Sequence, residues 1–388
     1  MKYMGHKGKL LPLLGEILKS ESINASKIAD PFCGSGAVSW YMAQETNKFV
    51  LSGDLQSFAV ARAAAVVERT RAIDPARVTR HWFKSARSVV DSVVSQFPNA
   101  AKSVHPEISI LDIQTIVNRS RTFCDEVLPP LFKKMQGHFP MTEAYGGHYF
   151  SPLQAIEIDA LRQTLPKSAE TRKLCLAALV EAASRCAAAP GHTAQPFQPT
   201  KTAAKFIAEA WNRNVWILVS QAIENIASTH ATVKGATSLG DYHKCISQLN
   251  PGDLVFADPP YSDVHYSRFY HVLETLTRGR HIAVSGVGRY PPIEQRPSSN
   301  FSQKGQAFSA AKRLIEICRK KEVNLVLTFP SGKASNGLST QDFVDIGNKK
   351  FSSIEVEQVN SKFSTLGGKS SDRGGRIECS ESIVCFRL

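Results

Sequence analysis

Two short apolar strands, each closing on an acid and each followed by a helix, fill the first 65 residues. In this stretch "SKIAD" reads as a strand running into a turn and "GAVSWYMAQETN" as a helix. "KFVLSGD" then reads as a second strand and "QSFAVARAAAVVERTRA" as a second helix. Strands separated by helices cannot pair as hairpins, so the alternation implies a parallel sheet with helices packed on it.

The rhythm lapses from about 70 to 230. Apolar periodicity predicts helices near 75–97, 109–135, 151–165, 170–189 and 203–228. Between them lie "MQGHFPMTEAYGGHYFSP" and "APGHTAQPFQPTK", whose Gly, Pro and aromatic content marks loops. From about 232 strands return in "ATVKGATSLGD" and "GDLVFAD", followed by a helix near 265–277 and a Pro/Ser-rich stretch at 286–303. A basic helix at 304–321 and the strand "VNLVLTF" come next. "SIEVEQVN" and "SIVCFRL", on either side of "STLGGKSSDRGGR", predict an antiparallel hairpin at one sheet edge. The expected architecture is α/β, with a mostly parallel sheet split by a largely helical inserted domain. The expected divisions are 1–65, 66–231 and 232–388, the middle part being assigned to target recognition.

Composition narrows the class. A chain of 388 residues with 43% hydrophobic and 21% charged residues can bury a full-sized core. No run approaches the ~18 apolar residues of a membrane span. At the N-terminus Pro12, Glu16 and Lys19 interrupt any secretory-signal pattern, whereas Leu10, Leu11, Leu14, Ile17 and Leu18 fall at helical spacing. An amphipathic helix and a cytoplasmic location are expected. The eight cysteines are scattered without a CxxC pair, so neither a disulfide framework nor a zinc site is expected. The net charge of +13 points to a polyanionic partner, and it is clustered: residues 62–90 carry seven Lys/Arg against two acids.

Two strand ends carry the chemistry. In "ADPFCGSGAV" a strand ends at Asp30, and Gly34 and Gly36 allow a tight turn into a helix. Asp54 ends the next strand, where an acid about 20 residues on can accept from ribose hydroxyls. Position 39 is Ser, so the dinucleotide fingerprint is incomplete, and no phosphate-binding P-loop is present; the pattern suits a nucleoside cofactor without requiring phosphates. The second strand end is Asp258-Pro259-Pro260-Tyr261, directly after "LVFA". The lone pair of an aromatic amine is delocalised into its ring. A carboxylate and a rigid proline-held carbonyl accepting the two N–H bonds would aim that lone pair outward, and Tyr261 could stack on the ring.

These residues resemble the S-adenosylmethionine-dependent amino methyltransferases acting on DNA, in particular the adenine methylases of alpha motif order. The segments "KYMGHK", "DPFCGSG" and "DPPY" stand in that family's order, and the resemblance covers about 1–65 and 235–388. It implies a Rossmann-like methyltransferase sheet, S-adenosylmethionine as cofactor, S-adenosylhomocysteine as product, and no metal. It implies that Tyr3 and Lys7 lie near the cofactor, that Asp30, Phe32, Gly34 and Gly36 hold its methionine end, and that Asp54 holds the ribose. Asp241 or Tyr242 would approach its adenine. Asp258 and the Pro259 carbonyl, with Pro260, would bind the target amine and Tyr261 the flipped base. Lys2, Tyr266 and Arg268 are the candidate DNA contacts. A polar residue near the base is expected in "TFPSG". The expected partner is double-stranded DNA, with restriction or phage-defence proteins left open. Three rival readings remain: a cytosine amino methyltransferase, an RNA or protein-amide methylase, and a noncatalytic DNA-binding subunit of a defence assembly. In the family's relatives the first more often carries Ser at the Asp258 position, and the second usually begins its motif with Asn.

Overall fold

The computed structural model describes residues 3, 7–97, 110–363 and 377–388. The chain divides into two compact units. One comprises Met4–Arg71, Thr229–Ser267 and Pro297–Leu388; the other comprises Met1–Tyr3, Ala72–Ser228 and Arg268–Arg296.

The first unit is an α/β sheet of seven strands: β1 (Lys27–Asp30), β2 (Phe49–Asp54), β3 (Ala236–Leu239), β4 (Leu254–Ala257), β5 (Asn324–Pro330), β6 (Ser353–Phe363) and β7 (Ile377–Arg387). Their order is β3-β2-β1-β4-β5-β7-β6. β1 to β5 are mutually parallel, while β7 runs antiparallel between β5 and β6, as the C-terminal sequence pattern anticipates. Side-chain alternation explains why the sheet is covered on both faces. Leu254, Phe256 and Val326 pack with Leu14, Leu18, Val38 and Met42 on one side. Val255, Ala257, Leu325 and Leu327 pack with Leu314, Ile315 and Phe343 on the other.

The N-terminal amphipathic pattern forms the helix Leu11–Glu21, with Leu14 and Leu18 buried and Leu13 exposed. A helix at Thr340–Gly347 was not anticipated; its start is fixed by a capping box between Ser339 and Asp342. At the amino ends of the central strands, Asp253 Oδ1 accepts from the backbone N–H groups of Ser26 and Lys27 and its Oδ2 from that of Asn250, tying β4 to β1. Strand order reverses between β1 and β4. A crevice at their carboxyl ends is where doubly wound sheets hold ligands.

The second unit is helical. Its helices include Pro75–Val94, Pro152–Gln163, Ala169–Cys186 and Val215–Ala227. Two expected helices are broken. The 109–135 stretch passes from Ile113–Thr122 through a π-turn at Phe123–Val127 into Leu128–Lys134, which has proline in its first turn. The 203–228 stretch stops at Trp211 and restarts after Asn214, whose side chain caps the Ile217 N–H. The aromatics of "YGGHYF" serve packing: Tyr145, Tyr149 and Phe150 are fully buried, and the Tyr149 hydroxyl reaches the Thr193 and Gly288 carbonyls at 2.8 Å each. Residues 268–296 also belong here. Tyr270, Val272, Leu273 and Leu276 are buried, and Arg162 donates to the carbonyls of Leu276 and Thr277. Among the described residues no helix is long and apolar enough to cross a membrane.

Candidate active site at the ends of β1 and β4

β1 delivers Asp30 to the crevice. Its Oδ2 accepts a 2.6 Å hydrogen bond from Ser39, whose hydroxyl in turn accepts from Ser52 at 2.8 Å. Its Oδ1 is buried and closes no hydrogen bond. Burial pushes the carboxyl up to about 7, against the pull of Ser39, and the nearby acids Asp258 and Asp54 push the same way. A buried acceptor left open beside other acids fits a cationic guest.

The turn that follows needs its glycines. Gly34 and Gly36 have φ of 47° and 81°, and Gly36 caps the helix Ala37–Glu45 in the left-handed conformation. Arg62, buried beneath, donates to the Ser35 carbonyl at 3.2 Å, and Trp40 donates to the Arg62 carbonyl at 3.0 Å. Asp54, at the end of β2, accepts from the Gly34 N–H at 3.0 Å and the Gln56 N–H at 2.9 Å. Phe32 stacks on Tyr242 at 5.6 Å and meets Phe301 edge-on. Asp241 is exposed and caps the helix Tyr242–Ile246, accepting from the His243 N–H.

β4 delivers Asp258. Thr328 of β5 donates to Asp258 Oδ1 at 2.9 Å, and Lys7 Nζ stands 2.9 Å from the same oxygen. Among the described residues Oδ2 has no partner, and the side chain keeps 18% of its exposure. Burial pushes Asp258 upward, Lys7 pulls it down, and Glu381 adds to the upward push. For Lys7, burial lowers the pKa, but the charges of Asp258 and Glu381 outweigh it and the ammonium is held well above its usual range.

The proline loop is braced from one side. Asn336, buried, donates to the Pro260 and Phe301 carbonyls at 3.0 Å each and accepts from the Leu338 N–H. The Pro259 carbonyl has no donor among the described residues. Tyr261, partly buried, meets Phe329 edge-on and packs against the same core as Phe32, and Tyr266 hydrogen-bonds its side chain.

Asp30, Phe32, Gly34, Gly36, Asp54, Tyr242, Asp258, Tyr261 and Lys7 therefore all belong to the α/β unit. Tyr3 lies in the helical unit, stacked on Tyr270 at 4.9 Å. Arg268 is also in that unit, where it donates to the Tyr290 hydroxyl at 3.1 Å. Lys2 lies outside the described residues. Sequence reasoning gave no role in the site to Ser39, Arg62, Asn336 or Glu381; within "TFPSG", where a polar residue near the base is expected, Thr328 donates to Asp258. Among the described residues no His/Cys/Asp/Glu group could hold a metal.

A doubly wound sheet of this strand order, with a glycine turn on β1 and an Asp-Pro-Pro-Tyr loop on β4, has the build of a methyltransferase. The chain belongs to the D12 class N6 adenine-specific DNA methyltransferase family, whose model matches residues 3–321. It is also similar to modification methylase LlaI of Lactococcus lactis subsp. lactis, at 23% identity over 406 aligned positions. That alignment takes in all of this chain but 55% of the relative, so the chain spans about half the relative's length.

Proposed function

We propose that the chain transfers a methyl group from S-adenosylmethionine to the N6 amine of adenine in double-stranded DNA, acting on a base turned out of the helix. The observation that carries this reading is the asymmetry at Asp258. Both protein contacts converge on Oδ1, while Oδ2 and the Pro259 carbonyl remain open as two acceptors for the two protons of one amine. Held that way, an amine presents its lone pair away from both acceptors.

The residues around Asp30 suit the cofactor. Its open buried oxygen would take a cationic part of the methionine end, the left-handed Gly34 and Gly36 give close backbone approach, and Asp54 would take the ribose. Bound there, S-adenosylmethionine supplies a methyl group already activated by its sulfonium. The chain's own tasks are to orient the amine, exclude water, and take up the proton the amine sheds as its new N–C bond forms. Asp258 Oδ2 is placed to receive that proton and pass it to water. Tyr261 supplies the stacking face, since a base inside a duplex cannot reach this loop.

The helical unit supports a DNA substrate. Arg77, Arg80, Lys84 and Arg87 are exposed at three- and four-residue steps along Pro75–Val94. Arg80, Lys84 and Arg87, with Phe83 and Ser220, line an open groove of about 710 Å³. A cationic stripe of this kind follows a phosphate backbone. Similarity to a modification methylase supports a role in marking DNA beside a restriction partner.

The test is transfer from radiolabelled cofactor to duplex DNA, RNA and protein in parallel, followed by digestion to nucleosides. The reading expects label in N6-methyladenine from duplex DNA. It also expects Asp258→Ala to lower kcat by a factor on the order of 10³ while cofactor affinity stays within about threefold. Label in N4-methylcytosine, or none with any substrate, overturns it.

A further inference from the structure

Glu381 occupies the antiparallel strand β7, opposite Pro330 of β5 and Val359 of β6. It is buried, and its Oε1 stands 2.6 Å from Lys7 Nζ. A carboxylate is costly in such a place unless a charge meets it. Lys7 meets it, and Lys7 also stands 2.9 Å from Asp258 Oδ1, so one ammonium is fixed between two acids from different strands.

We propose that Glu381 is a positioning residue for amine binding: by anchoring Lys7 it keeps the ammonium on Oδ1 of Asp258 and so reserves Oδ2 for the incoming substrate. The role of Oδ2 rests on the methyltransferase reading; the anchoring geometry does not. A lysine ammonium is a point charge on a flexible four-carbon stem with three donors. With Asp258 as its sole acid, nothing would stop it from straddling both carboxylate oxygens and occupying the acceptor the amine needs. Glu381 pulls from the β7 side and removes that freedom.

Charge follows the same logic. Two acids and one cation leave the cluster with one net negative charge, so Asp258 is not fully neutralised and remains a strong acceptor. The other groups facing it are the Thr328 hydroxyl from β5, the Tyr261 ring, 5.9 Å from Lys7 Nζ, and Asp30 from β1. None of these supplies the second anion on Lys7, whose ion pairs among the described residues are with Asp258 and Glu381.

The experiment compares wild type, Glu381→Gln, Glu381→Asp, Lys7→Met and the double variant Lys7→Met/Glu381→Gln as full chains. It follows the carbon-labelled Asp258 carboxyl by NMR across pH, together with kcat and KM. In Glu381→Gln a like charge is lost, so the Asp258 titration and the acid limb of kcat both move to lower pH. At the same time kcat falls about tenfold with cofactor KM unchanged, the scale on which orienting partners act. Glu381→Asp keeps the charge and restores the Asp258 titration. Because Glu381 acts through Lys7, adding Glu381→Gln to Lys7→Met costs nothing further. An unmoved Asp258 titration in folded Glu381→Gln, or additive losses in the double variant, overturns the proposal. If Glu381→Gln does not fold, Glu381→Asp decides: the shorter acid lowers kcat at constant cofactor KM, and a wild-type kcat overturns the proposal. Wild type failing to methylate adenine would count against the activity reading alone, because the carboxyl titration still reports on Glu381.

Discussion

Asp30 sets a pH dependence of its own. Its folded midpoint of about 7 lies above the 3.8 of an ordinary aspartate, so the folded chain binds its proton more tightly than the unfolded chain does. The stabilisation is complete at low pH and is lost as pH rises from about 4 through 7. Asp30→Asn should therefore flatten this part of the stability profile, read as the difference between variant and wild-type Tm across that window. For the cofactor proposed to bind at Asp30 the sign is opposite. A cationic guest prefers ionised Asp30, so below about pH 7 binding must expel a proton, and affinity should weaken by up to about tenfold per pH unit. Calorimetry in buffers of different ionisation heat should show proton release in wild type and none in Asp30→Asn. Asn336 makes a complementary case, because it does no chemistry. It satisfies two carbonyls and one N–H around the proline loop. Asn336→Ala leaves buried groups unpaired and should cost about 2 kcal/mol or more, with a lower Tm and reduced kcat. A Tm equal to that of wild type would show the loop to be held by its prolines alone.

At the scale of elements, the strands ending in acids were legible because an apolar run, a terminal acid and a proline or glycine turn are all local signals. The hairpin of β6 and β7 was legible for the same reason. What escaped were side chains that act across the fold. Thr328 meets Asp258 from seventy residues away, and only a residue type near that place was foreseen. Ser39 counted in the sequence as a departure from a glycine fingerprint, yet its hydroxyl holds Asp30. Glu381, within "SESIVCF", looks like one polar position of an alternating strand until the antiparallel β7 brings it to Lys7. The aromatics of "YGGHYF" show the limit of a local signal: their segment reads as a loop between helices, and Tyr145, Tyr149 and Phe150 fill a core there. The helix Pro75–Val94 offers a direct test of the charge reading. Replacing Arg77, Arg80 and Lys84 with Gln should leave Tm almost unchanged, within about 0.5 kcal/mol of stability, because all three are exposed. The slope of log affinity for duplex DNA against log salt should become shallower by about 2 to 3. An unchanged slope would make this face a solvated one.

For the whole molecule, the decisive fact is that neither unit is a continuous stretch of chain. The helical unit takes Ala72–Ser228 and also Arg268–Arg296, which follows the proline loop in sequence. That second segment is structural there: Tyr145 and Thr275 share a 2.9 Å hydroxyl contact, His271 Nε2 lies 2.9 Å from the Gly288 carbonyl, and Arg162 is satisfied by carbonyls of the Tyr266–Arg278 helix. Cooperative units of a fold open together, so hydrogen exchange can assign a segment to the body whose opening exposes it. The amides of Val272–Leu276 should therefore exchange with the same opening free energy and denaturant dependence as those of Pro152–Gln163 and Ala169–Cys186 in the full chain. The amides of β4, which ends fifteen residues before Val272, should follow β1 and β5 instead. If Val272–Leu276 exchanged with β4, the segment after the proline loop would belong energetically to the sheet, and its packing among the helices would contribute little to their stability.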